Sequence, residues 1–117
     1  MLFDKGISKS AEFEIPIIVI GNLRVGGTGK TPHTEWLIEQ LKQKYKVGML
    51  SRGYGRRTKG FRWVEENDSA VNCGDEPLQV KRKFPDVAVA VGEERISAIP
   101  EMLAEKELDV IVLDDGS

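Results

Sequence analysis

The chain has 117 residues, 40% of them hydrophobic, which is enough for one modest core and so for a single domain or part of one. Seventeen basic against nineteen acidic residues give a net charge of -2, which leaves no bulk attraction for nucleic acid and makes any cationic site a local one. The lone Cys73 excludes an intrachain disulfide, and the longest apolar run, Ile15 to Ile20, contains Pro16 and falls far short of the roughly 20 residues that span a bilayer.

Taken in chain order, the first expected element is a buried strand in IPIIVIG, continuously apolar and rich in β-branched residues. A glycine-rich turn follows, and then a helix on which Leu37, Leu41 and Tyr45 recur every four residues, with Trp36 and Ile38 widening the apolar face. KVGML reads as the second buried strand. Residues 51–73 break the pattern with glycines and basic residues, and FRWV within them reads as a short strand in an excursion. Asp75 is expected to cap a short helix reaching Phe84, with Pro77 in its first turn. VAVAVG is the third strand. Ile96, Ile99 and Leu103 then mark a helix that Pro100 should kink or start late, and LDVIVLDD is the fourth strand. The β-α-β alternation predicts an α/β fold, a doubly wound parallel sheet with flanking helices, whose ligands gather at the carboxyl ends of the strands. The chain stops just after its last strand, so an incomplete sheet with an open edge along Ile111 to Leu113 is expected, as in part of a larger protein.

The turn after the first strand, GNLRVGGTGKTP, carries the chemistry. Gly26, Gly27 and Gly29 let successive N–H groups, with that of Thr28 among them, converge on phosphate oxygens at the start of a helix. Lys30 would reach the β- and γ-phosphates, and the Thr31 hydroxyl stands where Mg²⁺ is ligated. The strict pattern G-x-x-x-x-G-K-[ST] asks for glycine where Arg24 stands, but the preceding strand and following amphipathic helix supply the context of a phosphate loop. Asp114 and Asp115 end an apolar strand beside the expected loop, where an acidic pair can hold hydrated Mg²⁺. An ATP-binding P-loop domain is the reading of the residues themselves.

The remaining polar clusters admit two readings each. Arg52, just past the second strand, and Arg56 and Arg57 after it suit an anionic acceptor, or else form a solvated basic loop. Asp75, with Glu76 beside it, suits a general base or metal-water ligand, or else an ordinary helix cap. Arg95 either stabilises phosphate or pairs with Glu93 or Glu94. His33 belongs in the first turn of a helix, where the positive end of the dipole disfavours protonation, and is read as non-catalytic. Cys73 is read as structural.

In this order, VIGNLRVGGTGKTP, LSRGYGRR, GDEP, VGEER and VLDDG closely resemble the amino-terminal part of the tetraacyldisaccharide 4'-kinase family, whose glycine loop shares the departure at Arg24. The resemblance implies ATP and Mg²⁺ as cofactors and transfer of the γ-phosphoryl to the 4'-hydroxyl of tetraacyldisaccharide 1-phosphate, a lipid A precursor. It implies a phosphate loop from Gly26 to Thr31, Asp114 and Asp115 as the magnesium motif with Glu76 as a further carboxylate on the metal side, Arg52 in the substrate-side loop, and Asp75 as catalytic base. It also implies that residues 1–117 are the amino-terminal part of a P-loop kinase domain acting at the cytoplasmic face of the bacterial inner membrane, with the membrane anchor, the second domain and the histidine paired with the catalytic aspartate outside this chain. Other readings are a P-loop switch or partitioning ATPase, against which Val25 stands where such proteins carry lysine, and a small-molecule P-loop kinase or ligase.

Overall fold

The computed structural model describes residues 7–8, 15–20, 31–53 and 56–114. Its elements are β1 (Ile7–Ser8), β2 (Ile17–Ile20), α1 (Thr31–Leu41), β3 (Val47–Ser51), β4 (Arg62–Trp63), α2 (Ala70–Cys73), α3 (Asp75–Lys83), β5 (Ala88–Val91), α4 (Arg95–Glu105) and β6 (Val110–Asp114). The six strands form one sheet in the order β1-β2-β6-β3-β5-β4. Its four inner strands are parallel, and the short outer strands β1 and β4 run antiparallel to their neighbours.

Alternation along each inner strand divides the core into two layers, because successive side chains of a strand leave opposite faces. Val47 and Met49, Val87, Val89 and Val91, and Val110 and Val112 pack on one face with Leu37 and Ile38 of α1, Cys73 of α2 and Leu78 and Val80 of α3. Leu50, Ala88 and Ala90, and Ile111 and Leu113 pack on the other face with Ala98, Ile99 and Met102 of α4. The α/β architecture and the four apolar strands expected from sequence are therefore present, and β4 falls within FRWV.

The expected open edge at Ile111 to Leu113 is not there. The last strand enters the middle of the sheet, pairing Ile17 to Ile20 with Ile111 to Asp114 on one side and Val47 to Ser51 with Val110 to Asp114 on the other. The outer positions fall instead to two-residue strands, which offer little backbone for unwanted pairing.

Three local expectations also change. Tyr45 lies beyond α1, and both Tyr45 and Trp36 are about half exposed, so the buried stripe of α1 is narrower than its apolar residues imply and runs through Thr34, Leu37 and Ile38. Gly74, not Asp75, occupies the cap position of α3, and Asp75 is the first helical residue. Helix α4 begins at Arg95 and runs through Pro100 to Glu105; the carbonyl that Pro100 leaves unmatched belongs to Ile96, on the solvent side. Ile96 is 72% exposed whereas Ile99 is 1% exposed, so the buried face is Ala98, Ile99 and Met102.

This assignment makes a clear prediction. Ile99→Ala should cost about 2–5 kcal/mol through lost burial and a residual cavity, whereas Ile96→Ala should stay within about 0.5 kcal/mol of wild type. Urea unfolding of the two variants checks it, and equal losses would restore Ile96 to the core.

Candidate active site

Four residues line up across the carboxyl ends of the parallel strands: Ile20 beside Asp114, Asp114 beside Ser51, and Ser51 beside Val91. Gly92 continues the rim by donating its N–H to the Ser51 carbonyl at 2.9 Å. Asp114 shares its parity with Val110 and Val112, so its carboxylate belongs to the face covered by α1 and α3, and it is 1% exposed. A carboxylate that deep needs a cationic or hydrogen-bonding environment to remain charged.

The glycine loop lies between the end of β2 at Ile20 and the start of α1 at Thr31, giving the strand-loop-helix order expected of a phosphate site. Gly26, Gly27, Thr28, Gly29 and Lys30 themselves lie outside the described residues, as do Asp115 and the side chain of Thr31. His33 is the third residue of α1, in the first turn as expected.

Arg52 follows Ser51 directly and is exposed. The backbone then turns through Gly53, with φ of 71°, and lies against Gly74, with φ of 94°. A Cβ on Gly74 would come within 3.3 Å of both Cα and C of Gly53, and one on Gly53 within 2.5 Å of Arg56 Cδ and 3.1 Å of the Cys73 carbonyl oxygen. Only glycines permit this approach, and it brings the Arg52 loop to the first turn of α3, where Asp75 is exposed and Glu76 half-buried. Asp75 and Glu76 also face the positive end of the α3 dipole, while Lys81, Arg82 and Lys83 occupy its last turn. Among the described residues no three of His, Cys, Asp and Glu converge as a ready-made metal cage.

Arg56 departs from the sequence reading. Its side chain is 3% exposed, and Nη2 meets Glu93 Oε2 at 2.5 Å. Arg56 Nε donates to the Arg52 carbonyl at 3.3 Å, Nη1 to Thr58 Oγ1 at 2.9 Å, and Nη2 to the Gly60 carbonyl at 2.8 Å. A guanidinium so engaged is not available to an acceptor, which leaves Arg52 and the exposed Arg57 of the three arginines read as suiting one. The same contact settles the partner of Glu93, which is Arg56, together with the Gly60 N–H at 2.9 Å. Burial opposes the charge on Glu93, but the Gly60 and Glu93 N–H groups and Arg56 outweigh it and hold the carboxyl below its ordinary range. Cys73 is buried, donates to the Ser69 carbonyl at 3.1 Å and has its thiol pushed up chiefly by burial, as suits a structural residue.

A contact that no local pattern announces joins α1 to α3. Glu35 is almost buried and accepts from Gln79 Nε2 at 3.0 Å and Lys83 Nζ at 2.9 Å. The hydrogen bond from Lys83 to Glu35, more than its charge, raises the Lys83 pKa. Thus the helix that starts at the glycine loop is tied to the helix that starts at Asp75, by residues too far apart in sequence for any periodicity to pair them.

A cleft of about 450 Å³ lies at the opposite rim, lined in part by Lys42, Lys46, Lys81 and Lys106. Its cations are largely engaged: Lys42 with Asp86 at 3.4 Å, Lys46 with Glu107 at 3.1 Å, and Lys81 with the Pro85 and Val87 carbonyls. It lies at the amino ends of the strands, away from the rim where ligands of such sheets bind.

Comparison with known proteins agrees with this fold. The family model described as tetraacyldisaccharide-1-P 4'-kinase, LpxK, matches residues 1–117. A tetraacyldisaccharide 4'-kinase of Parabacteroides distasonis is 50% identical over 98% of this chain and 32% of that protein, and one of Flavobacterium johnsoniae 52% identical over 98% and 34%. A solved structure of LpxK from Aquifex aeolicus in complex with ATP superposes with a TM-score of 0.75 at 36% identity, covering 96% of this chain and 36% of that one. The chain therefore spans about a third of the length of the relatives it matches.

Two outcomes test the rim. Gly74→Ala should lower stability by roughly 1–3 kcal/mol, since alanine is strained at that φ and crowds Gly53; an unchanged urea midpoint would show that the two loops are not pressed together. The second concerns acid. The folded chain binds a proton at Glu93 more weakly than the unfolded chain, whose value is 4.5, so this stabilisation is complete above that pH and is lost as pH falls through the lower folded value. Glu93→Gln should flatten that part of the acid limb, and an identical pH-stability curve would contradict the assignment.

Proposed function

Because its whole length matches the family model, the chain belongs to the tetraacyldisaccharide-1-P 4'-kinase family, and from that premise we propose that it serves ATP-dependent phosphorylation of the 4'-hydroxyl of tetraacyldisaccharide 1-phosphate in lipid A biosynthesis. The observation that carries the reading is the register of Ile20 with Asp114, which puts a buried carboxylate next to the strand leading into VGGTGKT. A phosphate loop and a metal-side carboxylate on adjacent parallel strands are what a nucleoside triphosphate with Mg²⁺ requires. The relative of known structure is described as binding ATP, which supports the same nucleotide here.

In this reading the N–H groups of Gly26 to Thr31 and the Lys30 ammonium hold the triphosphate. The Thr31 hydroxyl, Asp114 and Asp115, with Glu76 as a further carboxylate, would hold Mg²⁺, which would supply neutralisation of phosphate charge there. Arg52 orients the anionic acceptor. Asp75 accepts the proton of the 4'-hydroxyl as its oxygen forms the new bond to the γ-phosphorus and the bond to the ADP oxygen breaks. Phosphoryl transfer depends on alignment and charge neutralisation more than on a strong base, so an exposed carboxylate suffices. The substrate is a lipid, so the work takes place at a membrane surface, which we assign to the cytoplasmic face of the bacterial inner membrane. No described helix is itself long and apolar enough to cross a membrane.

The test uses this chain alone and joined to the remaining two thirds of the Flavobacterium johnsoniae relative, with γ-labelled ATP and tetraacyldisaccharide 1-phosphate separated by thin-layer chromatography. Labelled lipid from the joined protein and none from the chain alone is the expected result, since acceptor alignment is a large part of catalysis. Phosphate release without labelled lipid would favour a switch ATPase. In the joined protein, Asp75→Asn should lower transfer by at least about a hundredfold and leave nucleotide affinity in place. A parallel fall in both would turn Asp75 into a cap or metal ligand. Lys30→Ala should weaken ATP use, and wild-type ATP dependence would sink the loop assignment.

A further inference from the structure

The buried guanidinium of Arg56 joins three segments that the kinase reading needs in one place. It holds the loop after β3 through the Arg52 carbonyl and the loop after β5 through Glu93, and it reaches the segment before α3 through Thr58. Thr58 Oγ1 donates in turn to the Asn72 carbonyl, and the Arg57 N–H donates to the Val71 carbonyl at 2.7 Å. Asn72 stands two residues before Gly74, the glycine on which the Arg52 loop rests. Glu93 closes the arrangement by accepting from the Gly60 N–H while Arg56 donates to the Gly60 carbonyl.

The chemistry of the group explains why arginine stands here. A planar guanidinium offers five fixed donors and stays charged when buried, so it serves a carboxylate, a hydroxyl and two carbonyls together; a lysine ammonium has three donors on a flexible stem and cannot reproduce the fork. The cost of burying the cation is offset by the short pair to Glu93 and by several satisfied donors.

Resting on the kinase reading, we infer that Arg56 is a positioning residue: it fixes Arg52 and the start of α3, with Asp75, relative to each other at the carboxyl rim and touches neither nucleotide nor acceptor. The partners of the clasp, Arg52, Thr58, Gly60, Asn72 and Glu93, belong to the loops after β3 and β5 and to α2, outside β2 and α1, so loosening the clasp should misalign base and acceptor more than the phosphate site.

The experiment takes the joined protein with Arg56→Lys and the milder Thr58→Val, which removes the hydroxyl that bridges Arg56 to Asn72 and leaves the Arg56 contacts to Arg52, Gly60 and Glu93, under conditions where thermal melts show each fully folded. The expected result is an ATP KM within about twofold of wild type and a kcat lower by roughly ten- to a hundredfold, since small misplacements of reacting groups cost that much. Amide exchange at Gly53 and Gly74 should quicken in both variants. Three results would overturn the inference: unchanged kcat; a rise in lipid KM with kcat intact, which would make Arg56 an acceptor contact; or ATP KM and kcat worsening together, which would make the clasp general scaffolding. Wild-type joined protein that labels no lipid would instead count against the kinase reading, while the exchange rates would still decide whether Arg56 holds the two loops together.

Discussion

The pairing of β6 between β2 and β3 is the constraint on which the candidate site depends. It buries Ile111 and Val112 completely, satisfies the strand on both sides, and sets Asp114 level with Ile20 and Ser51. A shift of one residue would turn Asp114 to the α4 face, because side chains alternate between the faces of a sheet. The apolar register therefore aims the carboxylate: Val110 and Val112 must face α1 and α3, and Asp114 follows them.

Around that rim the helices are held by polar contacts of long sequence separation. Glu35 ties α1 to Gln79 and Lys83 of α3, and Arg56 ties the loops after β3 and β5. The two ties respond to opposite ends of the pH scale. The raised pKa of Lys83 means that its contribution is present below its unfolded value of 10.5 and is lost as pH rises through the folded value, whereas that of Glu93 fails in acid. Across the neutral range both hold. Hydrophobic layering alone leaves the helix starts free to slide, and directional hydrogen bonds remove that freedom.

The strands were legible in the sequence because each is a short, nearly continuous apolar run, the mark of a strand covered on both faces. Their spatial order was not, and the last strand in the chain proved to be an inner one. Apolar residues on helices misled where they stand at the boundary: Ile96 and Trp36 fit the spacing yet face solvent, since periodicity marks a face but not how far the sheet reaches beneath it. Asp75 looked like a cap because aspartate favours that position, but Gly74 takes it to let the Arg52 loop approach. Of the candidate site, Arg52, Asp75 and Asp114 are at the carboxyl rim, while Lys30, Asp115 and the loop glycines lie outside the described residues. Arg56 was legible as a cation only; its buried role follows from Glu93, thirty-seven positions away, which no motif links to it.

The account's central claim is that the nucleotide site lies at the carboxyl rim and not in the lysine-lined cleft at the opposite end of the strands. Amide shift mapping during titration of the isotopically labelled chain with ATP and Mg²⁺ tests it directly. The account predicts that the largest shifts fall around Ile20, at the start of α1 and at Asp114, and that Lys46, Val87 and Leu108 stay in place. Shifts concentrated at those last three residues, with Ile20 and Asp114 unmoved, would contradict it.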